Sequence, residues 1–156
     1  MKNIILVDLD GTVIDSNHRT PTRSDGTLDL DNYLRLRTRD SIFKDKLLPL
    51  ASVIRKLYRH NYIVISTARV VDQDDIDYLL YNNIPYHKLL SRPDNDRSRD
   101  ADLKVTSMRK LRNLKQFSNK PWFMFDDAPS VISAMRKEGV RCLNSAKLNS
   151  RLLSYA

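Results

Sequence analysis

A single cysteine, Cys142, stands in 156 residues. That excludes an intrachain disulfide and any Cys-based zinc cluster, and a reducing cytosol is the compartment such a chain suits. Glycine is scarce too, with three in all, and no Gly-x-x-x-x-Gly-Lys-Ser/Thr run occurs, so there is no P-loop. No run of about 18 apolar residues exists, which excludes an ordinary transmembrane helix. The N-terminal stretch MKNIILVDLD has neither the long apolar core nor the small-residue cleavage site of a signal peptide. His18, His60 and His87 are spaced for neither a metal site nor a triad. What is in excess is positive charge. There are 27 Lys and Arg against 19 Asp and Glu, a net of +8, a balance that suits a polyanionic or phosphorylated partner.

With 41% hydrophobic and 29% charged residues, the chain has the make-up of one globular domain with a core, residues 1–156. Residues 2–7 form a continuous apolar run, the pattern of a strand buried on both faces of a parallel sheet. Similar short runs recur at Tyr62–Ser66, Tyr86–Leu90, Trp122–Phe125 and Val140–Leu143. Between them lie helical patterns. Leu50, Val53, Ile54, Leu57 and Tyr58 share one stripe over residues 47–60. Asp72 is placed to cap a helix reaching about Asn82, with Asp74 and Asp75 in its first turn. Residues 102–117 turn Val105, Met108 and Leu111 inward. Pro129 and Gly139 bracket a further helix. Residues 11–46 are polar and read as loops, with a hairpin or short helix around 28–40, and the tail beyond Ser145 has no clear pattern. Strands alternating with helices predict an α/β fold with a mostly parallel sheet.

In such a sheet, ligands bind beyond the carboxyl ends of the strands. Asp8 and Asp10 end the first strand. Ser66, Thr67 and Arg69 end the second, and Asp126 and Asp127 follow Trp122–Phe125. Four carboxylates at one edge repel unless a positive charge intervenes. A hard divalent cation answers this, and magnesium prefers oxygen ligands, waters and a substrate phosphate. Gly11 lets the backbone turn tightly there. Taken singly, each aspartate has a plainer role in a turn or cap, and Asp127 is a natural cap for the helix after it. Taken together, the set reads as a site.

Asp8-Leu9-Asp10-Gly11-Thr12 resembles the first motif of the haloacid dehalogenase superfamily, largely phosphatases. Thr67 resembles its second motif, Lys104 its third and Asp126-Asp127 its fourth. With Arg19, Ser66-Thr67-Ala68-Arg69, Arg92, Asp100 and the run FDDAPSVISAMRKEGVRCLN (residues 125–144), the chain is similar to the 3′-phosphatase domain of bacteriophage polynucleotide kinase-phosphatases. Where Ser-Gly-Arg is usual, this chain has Thr67-Ala68-Arg69. The resemblance implies a Rossmann-like haloacid dehalogenase fold with a minimal cap, since the insertions at about 13–46 and 70–100 are too short for a separate domain.

The resemblance also implies a magnesium-dependent hydrolase that removes 3′-phosphate from DNA or RNA ends in nucleic-acid repair, in a host cytoplasm if phage-encoded. Asp8 would form an aspartyl-phosphate. Asp10 would serve as general acid and then base, its pKa raised by the crowded acidic site. Thr67 and Lys104 would hold the phosphoryl oxygens. Asp8, Asp10 through its backbone carbonyl, and one or both of Asp126 and Asp127 would ligate magnesium. Arg19, Arg69 and Arg92 would bind substrate through the guanidinium fork, and Asp100 would orient Lys104, Arg69 or both. Two alternatives share the fold: a phosphatase of free mononucleotides, and a non-catalytic nucleic-acid-binding module. The intact Asp8/Asp10 pair speaks against the latter.

Overall fold

The apolar run Ile4–Val7 is buried along its whole length because a strand pairs with it on each side. The computed structural model describes residues 1–155. In chain order its elements are β1 (Ile4–Val7), β2 (Ile14–Asp15), a 3-10 turn (Asn17–Arg19), α1 (Leu30–Leu36), α2 (Arg39–Ile42), β3 (Lys46–Leu47), α3 (Leu50–Leu57), β4 (Tyr62–Ser66), α4 (Gln73–Tyr81), β5 (Lys88–Leu90), α5 (Asp100–Arg112), β6 (Trp122–Asp126), α6 (Pro129–Lys137), β7 (Arg141–Asn144) and α7 (Ser145–Ser154).

Five strands form a parallel sheet in the order β5-β4-β1-β6-β7, with helices on both faces, an α/β fold of the expected kind. The alternation of side chains along β1 divides the core. Ile5 and Val7 meet Leu50 and Ile54 of α3 and Tyr78 and Leu79 of α4 on one face. Ile4 and Leu6 meet Met108 and Leu111 of α5 and Val131 and Met135 of α6 on the other. The chain adds β4 and β5 on one side of β1, then crosses to place β6 and β7 on the opposite side. The order therefore reverses between β1 and β6, where a ligand crevice forms at the carboxyl edge.

Of the hairpin or short helix expected around 28–40, the structure has the helix, as α1 and α2, capped by Asp29 and Thr38 side chains. One expectation needs correction. Asp127 does not cap α6. The N-cap is Ala128, whose N–H donates to Asp126 Oδ1 at 2.9 Å. The tail is also ordered. Its helix α7 is tied down by Asn149, whose Oδ1 accepts from Leu50 N at 2.9 Å and whose Nδ2 donates to Thr12 O at 2.9 Å. The first of these bonds satisfies an otherwise orphaned amide at the start of α3. Leu148 and Leu152, four apart, add an apolar contact with the core, but a stripe of two residues is a short signal in the sequence.

At the start of β5 a side chain extends the sheet. His87 Nδ1 accepts from Ile63 N at 3.0 Å, while His87 N donates to Ile63 O at 2.8 Å. Its ring stacks between Tyr58 and Tyr62. Burial holds the His87 pKa below its usual value, and protonation at Nδ1 would forfeit the Ile63 bond.

Asn149→Ala leaves the Leu50 amide and the Thr12 carbonyl without partners, and is expected to lower stability by about 1–3 kcal/mol, read as a shifted urea midpoint. For His87 the sign is set by its lowered folded pKa. The unfolded chain binds the proton more readily, so stability is full above about pH 6.5 and falls as pH drops through it. His87→Gln, which keeps a neutral acceptor, is expected to flatten the fall in Tm between pH 7.5 and 5.5 relative to wild type.

Candidate active site

The register of the sheet decides which side chains meet. Val7 of β1 lies beside Ile65 of β4 and Phe125 of β6, so the next residues along the chain emerge together at the carboxyl edge. Asp8 N donates to Phe125 O at 3.0 Å, and Thr67 N to Leu90 O at 3.0 Å. Asp8, Thr67 and Asp126 are all buried there. Lys104 reaches the same point from α5, itself only 4% exposed. Its Nζ donates to Asp8 Oδ1 at 2.8 Å and to Asp126 Oδ2 at 2.7 Å. A buried ammonium between two buried carboxylates is not a solvated helix residue. Burial opposes its charge, but Asp8 and Asp126 outweigh that and hold the Lys104 pKa above its usual value.

One lysine does not neutralise the cluster. Oxygens of Asp8, Asp126 and Asp127 lie within 4.8 Å of one another. Asp8 is pushed well above the usual carboxylate range, first by burial, with Asp126 and Asp10 adding repulsion against the pull of Lys104. Asp127 is pushed up by burial and then by Asp126. Three converging hard oxygen donors with charge left over fit a magnesium ion. The Asp10 carboxylate is not one of this group, so of the four expected ligand residues it is the one whose side chain points elsewhere; only its backbone carbonyl is left for a metal. Gly11 completes the corner. Its φ is +78°, and a Cβ there would lie 2.2 Å from Asp127 Oδ2. Only glycine leaves that carboxylate its place.

Asp10 belongs to a second cluster built around Arg69. The Arg69 guanidinium donates to Asp10 from Nε at 2.7 Å and from Nη2 at 2.5 Å, a bidentate fork. Ser16 Oγ donates to the same carboxylate at 2.6 Å. Burial acts to raise the Asp10 pKa, but Arg69 and Ser16 together take it below the usual value. The expectation of a raised Asp10 is therefore wrong for the free protein. It counted the neighbouring acids and not the arginine laid against this one.

The remaining expected residues divide. Arg92 lies on the rim of the cavity, and its Nη2 donates to Asp100 Oδ1 at 2.8 Å. Asp100 thus pairs with Arg92, not with Lys104 or Arg69. Arg19 is 1% exposed, and its guanidinium is held by Asp45 at 2.9 and 2.7 Å. It lies behind Arg69 and not on the surface a substrate would reach, although its Nη1 has no partner among the described residues. Thr67 Oγ1 accepts from Arg69 N at 3.1 Å, which fixes the turn after β4.

Two residues escaped the sequence reading. Asp75 accepts from Arg69 Nη1 at 3.0 Å and from Arg37 Nη2 at 2.7 Å. Asp45 accepts from Arg19 and lies 3.5 Å from Arg69 Nη2. Asp75 sat in a run of helix-opening acids and Asp45 in a polar stretch, so neither had a signal of its own. Thr12 was quoted only as part of the first motif. Its hydroxyl donates to Asp8 Oδ2 at 3.2 Å and meets Ser145 Oγ at 2.7 Å.

A buried carboxylate at the strand end, a second acid two residues on, a buried ammonium and a metal-competent acidic cluster are the parts that an aspartate-based phosphoryl-transfer site requires. The comparisons agree. The chain of a Pnkp1/Rnl/Hen1 RNA repair complex superposes with a TM-score of 0.70 at 21% identity, over 92% of this chain and 42% of that one. A haloacid dehalogenase-like hydrolase of Streptococcus pneumoniae superposes at 0.68 and 14% identity, over 99% and 90%. Both show the haloacid dehalogenase fold. In sequence, the 5′-deoxynucleotidase of Escherichia phage T5 is 28% identical over 174 residues, which cover 97% of this chain and 70% of that protein. The family model of the bacteriophage T5 5′-deoxynucleotidase matches residues 1–155. With that match over residues 1–155, the chain belongs to the bacteriophage T5 5′-deoxynucleotidase family, and it is built on the haloacid dehalogenase fold.

Proposed function

We propose that residues 1–156 act as one magnesium-dependent phosphomonoesterase domain, working in a host cytoplasm, that releases the 5′-phosphate of deoxynucleoside monophosphates. The observation that supports this most is Asp8, held at the end of the central strand by Lys104 and Thr12 with Asp10 two residues on, in a chain that a 5′-deoxynucleotidase family matches over residues 1–155. A 3′-phosphorylated DNA or RNA end is the second reading. The net charge of +8 favours it, as does the likeness of the motifs to polynucleotide 3′-phosphatases.

On either reading Asp8 attacks phosphorus in line. An aspartyl oxygen–phosphorus bond forms as the ester oxygen–phosphorus bond breaks. Asp10 gives its proton to the leaving alkoxide oxygen. It then takes a proton from water, whose oxygen attacks phosphorus and frees Asp8 with release of inorganic phosphate. Lys104 and the Thr67 hydroxyl are placed to hold phosphoryl oxygens, positioned donors being what this transition state needs. Magnesium, held by Asp8, Asp126, Asp127 and the Asp10 carbonyl, would neutralise charge on the transferring phosphoryl group. Arg69 keeps Asp10 ionised in the free protein. A bound phosphate dianion adds negative charge beside Asp10 and competes for the Arg69 fork. Both changes raise the Asp10 pKa and ready it as an acid.

Phosphate release is to be compared for a deoxynucleoside 5′-monophosphate, a 3′-phosphorylated oligonucleotide and a 5′-phosphorylated one. The mononucleotide is expected to react fastest; faster release from the 3′-end would select the second reading. Asp8→Asn is expected to lower kcat by about 10⁴-fold or more, the scale seen when a nucleophile is removed. A chelator should stop release and added magnesium restore it. Gly11→Ala, which forces the Asp127 carboxylate from its place, is expected to raise the magnesium concentration needed for half-maximal activity by about 10-fold or more, the scale of a disturbed metal environment.

A further inference from the structure

Over Asp10, Gly11 and Asp127 opens a cavity of about 480 Å³, within the usual range for small-molecule sites. Much of its lining is apolar, from Leu28, Leu30, Tyr33 and Leu34 with Val70 from the loop after β4. Leu30 and Leu34 are 52% and 56% exposed, and no residue of α1 is buried. A seven-residue helix with its leucines in water has little to hold it by itself. Polar anchors fix it instead. Arg37, the C-cap of α1, donates to Val70 O at 2.6 Å and to Asp75 Oδ2 at 2.7 Å. Asp75 also holds Arg69, so the apolar wall and the Asp10–Arg69 pair share one anchor.

The charged part of the lining is balanced. Arg37, Arg69 and Arg92 face Asp10, Asp100 and Asp127. Each arginine is already paired: Arg37 with Asp75, Arg69 with Asp10, and Arg92 with Asp100. A track for successive backbone phosphates needs cations free to meet them. This cavity instead joins Asp127, one of the three aspartates of the acidic cluster, to apolar and aromatic side chains.

We infer that the Leu30–Tyr33–Leu34 wall receives the nucleobase of the substrate, with Tyr33 as its stacking surface, and that it selects a free nucleoside monophosphate over a nucleic-acid end. The inference rests on the nucleotidase reading above and adds the residues that set its specificity. A base seated there presents a flat, mostly apolar face to the tyrosine ring, and its phosphate lies toward Asp8.

The test measures kcat and KM, with magnesium present, on deoxythymidine 5′-monophosphate, on 2-deoxyribose 5-phosphate, which lacks the base, and on a short 3′-phosphorylated oligonucleotide. Wild type is expected to favour the nucleotide over the baseless sugar phosphate by about 10-fold or more in kcat/KM, the scale of one base–aromatic stack. Tyr33→Ala is expected to remove about that factor for the nucleotide, chiefly through KM, while deoxyribose 5-phosphate stays within about two-fold. Tyr33→Phe, which keeps the ring, is expected to retain the preference for the nucleotide over the sugar phosphate, and Leu80→Ser, at an exposed leucine outside the cavity, should behave as wild type. Equal wild-type efficiency with and without the base overturns the inference and leaves the phosphatase reading intact. So does an equal loss on both substrates in Tyr33→Ala. An oligonucleotide that outruns the nucleotide overturns the nucleotidase reading and the inference with it. No phosphate release by wild type from any of the three overturns the function and the inference together.

Discussion

The ammonium of Lys104 lets two buried aspartates share the end of one sheet. Asp8 and Asp126 sit on adjacent strands in register, and nothing in the backbone keeps their charges apart. With Nζ at 2.8 and 2.7 Å from the two carboxylates, each of the two has a positive neighbour in direct contact. Such a cluster does little for stability. Taking three charges out of water costs about as much as their attraction returns, and well-packed apolar residues in the same space are often as stable or more so. The strands around it need no such help, since Ile4–Val7 and Ile63–Ile65 are almost wholly buried. The fold tolerates this cluster at its carboxyl edge because two apolar layers on either side of the sheet hold the backbone regardless.

A second cation separates the acids by task. Arg69 takes Asp10 out of the group formed by Asp8, Asp126 and Asp127, so that two carboxylates only two residues apart live in different fields. Burial and its acidic neighbours push Asp8 up, while Arg69 and Ser16 bring Asp10 down. Groups whose environments drive their proton affinities apart are the usual mark of divided acid–base roles. The direction found for Asp10 is that of a state without substrate. An acid that must donate a proton only after phosphate arrives is better kept ionised until then, because its proton affinity then rises with the event that calls for it.

The sequence displayed the sheet and the strand-end chemistry because both are written in local patterns. Four apolar residues followed by Asp8-Leu9-Asp10-Gly11 carry their meaning in order and spacing, and parallel strands in register then bring distant motifs together without further information. Lys104 was readable only through resemblance, since nothing local tells a buried lysine from a solvated one. Asp75 and Asp45 were not readable at all. Their importance lies in pairing with Arg69, Arg37 and Arg19, a tertiary property that leaves no period in the chain. The same reason placed Arg19 wrongly. Its composition suited phosphate binding, but Asp45 holds it in the interior. Helix α7 was missed because its apolar stripe is only Leu148 and Leu152, the rest of its hold coming from hydrogen bonds of Asn149 and Ser145.

Chemistry and recognition rest on parts of the molecule with different rigidity. Asp8, Thr67 and Asp126 stand at the ends of paired strands within the double-layered core, where a shift of one residue would overturn the packing of the whole sheet. The wall opposite them comes from a segment with no buried residue in its main helix, held to the sheet by Arg37 through Val70 and Asp75. Substitutions in that wall disturb little packing, so it can change what fits the cavity without disturbing the strand ends. Asp75 limits that freedom. Because it holds Arg37 and Arg69 alike, a wall that moved would pull on the arginine that lowers the proton affinity of Asp10, and under the proposed mechanism the fit of the substrate's far end would be felt at the group assigned to protonate its leaving oxygen.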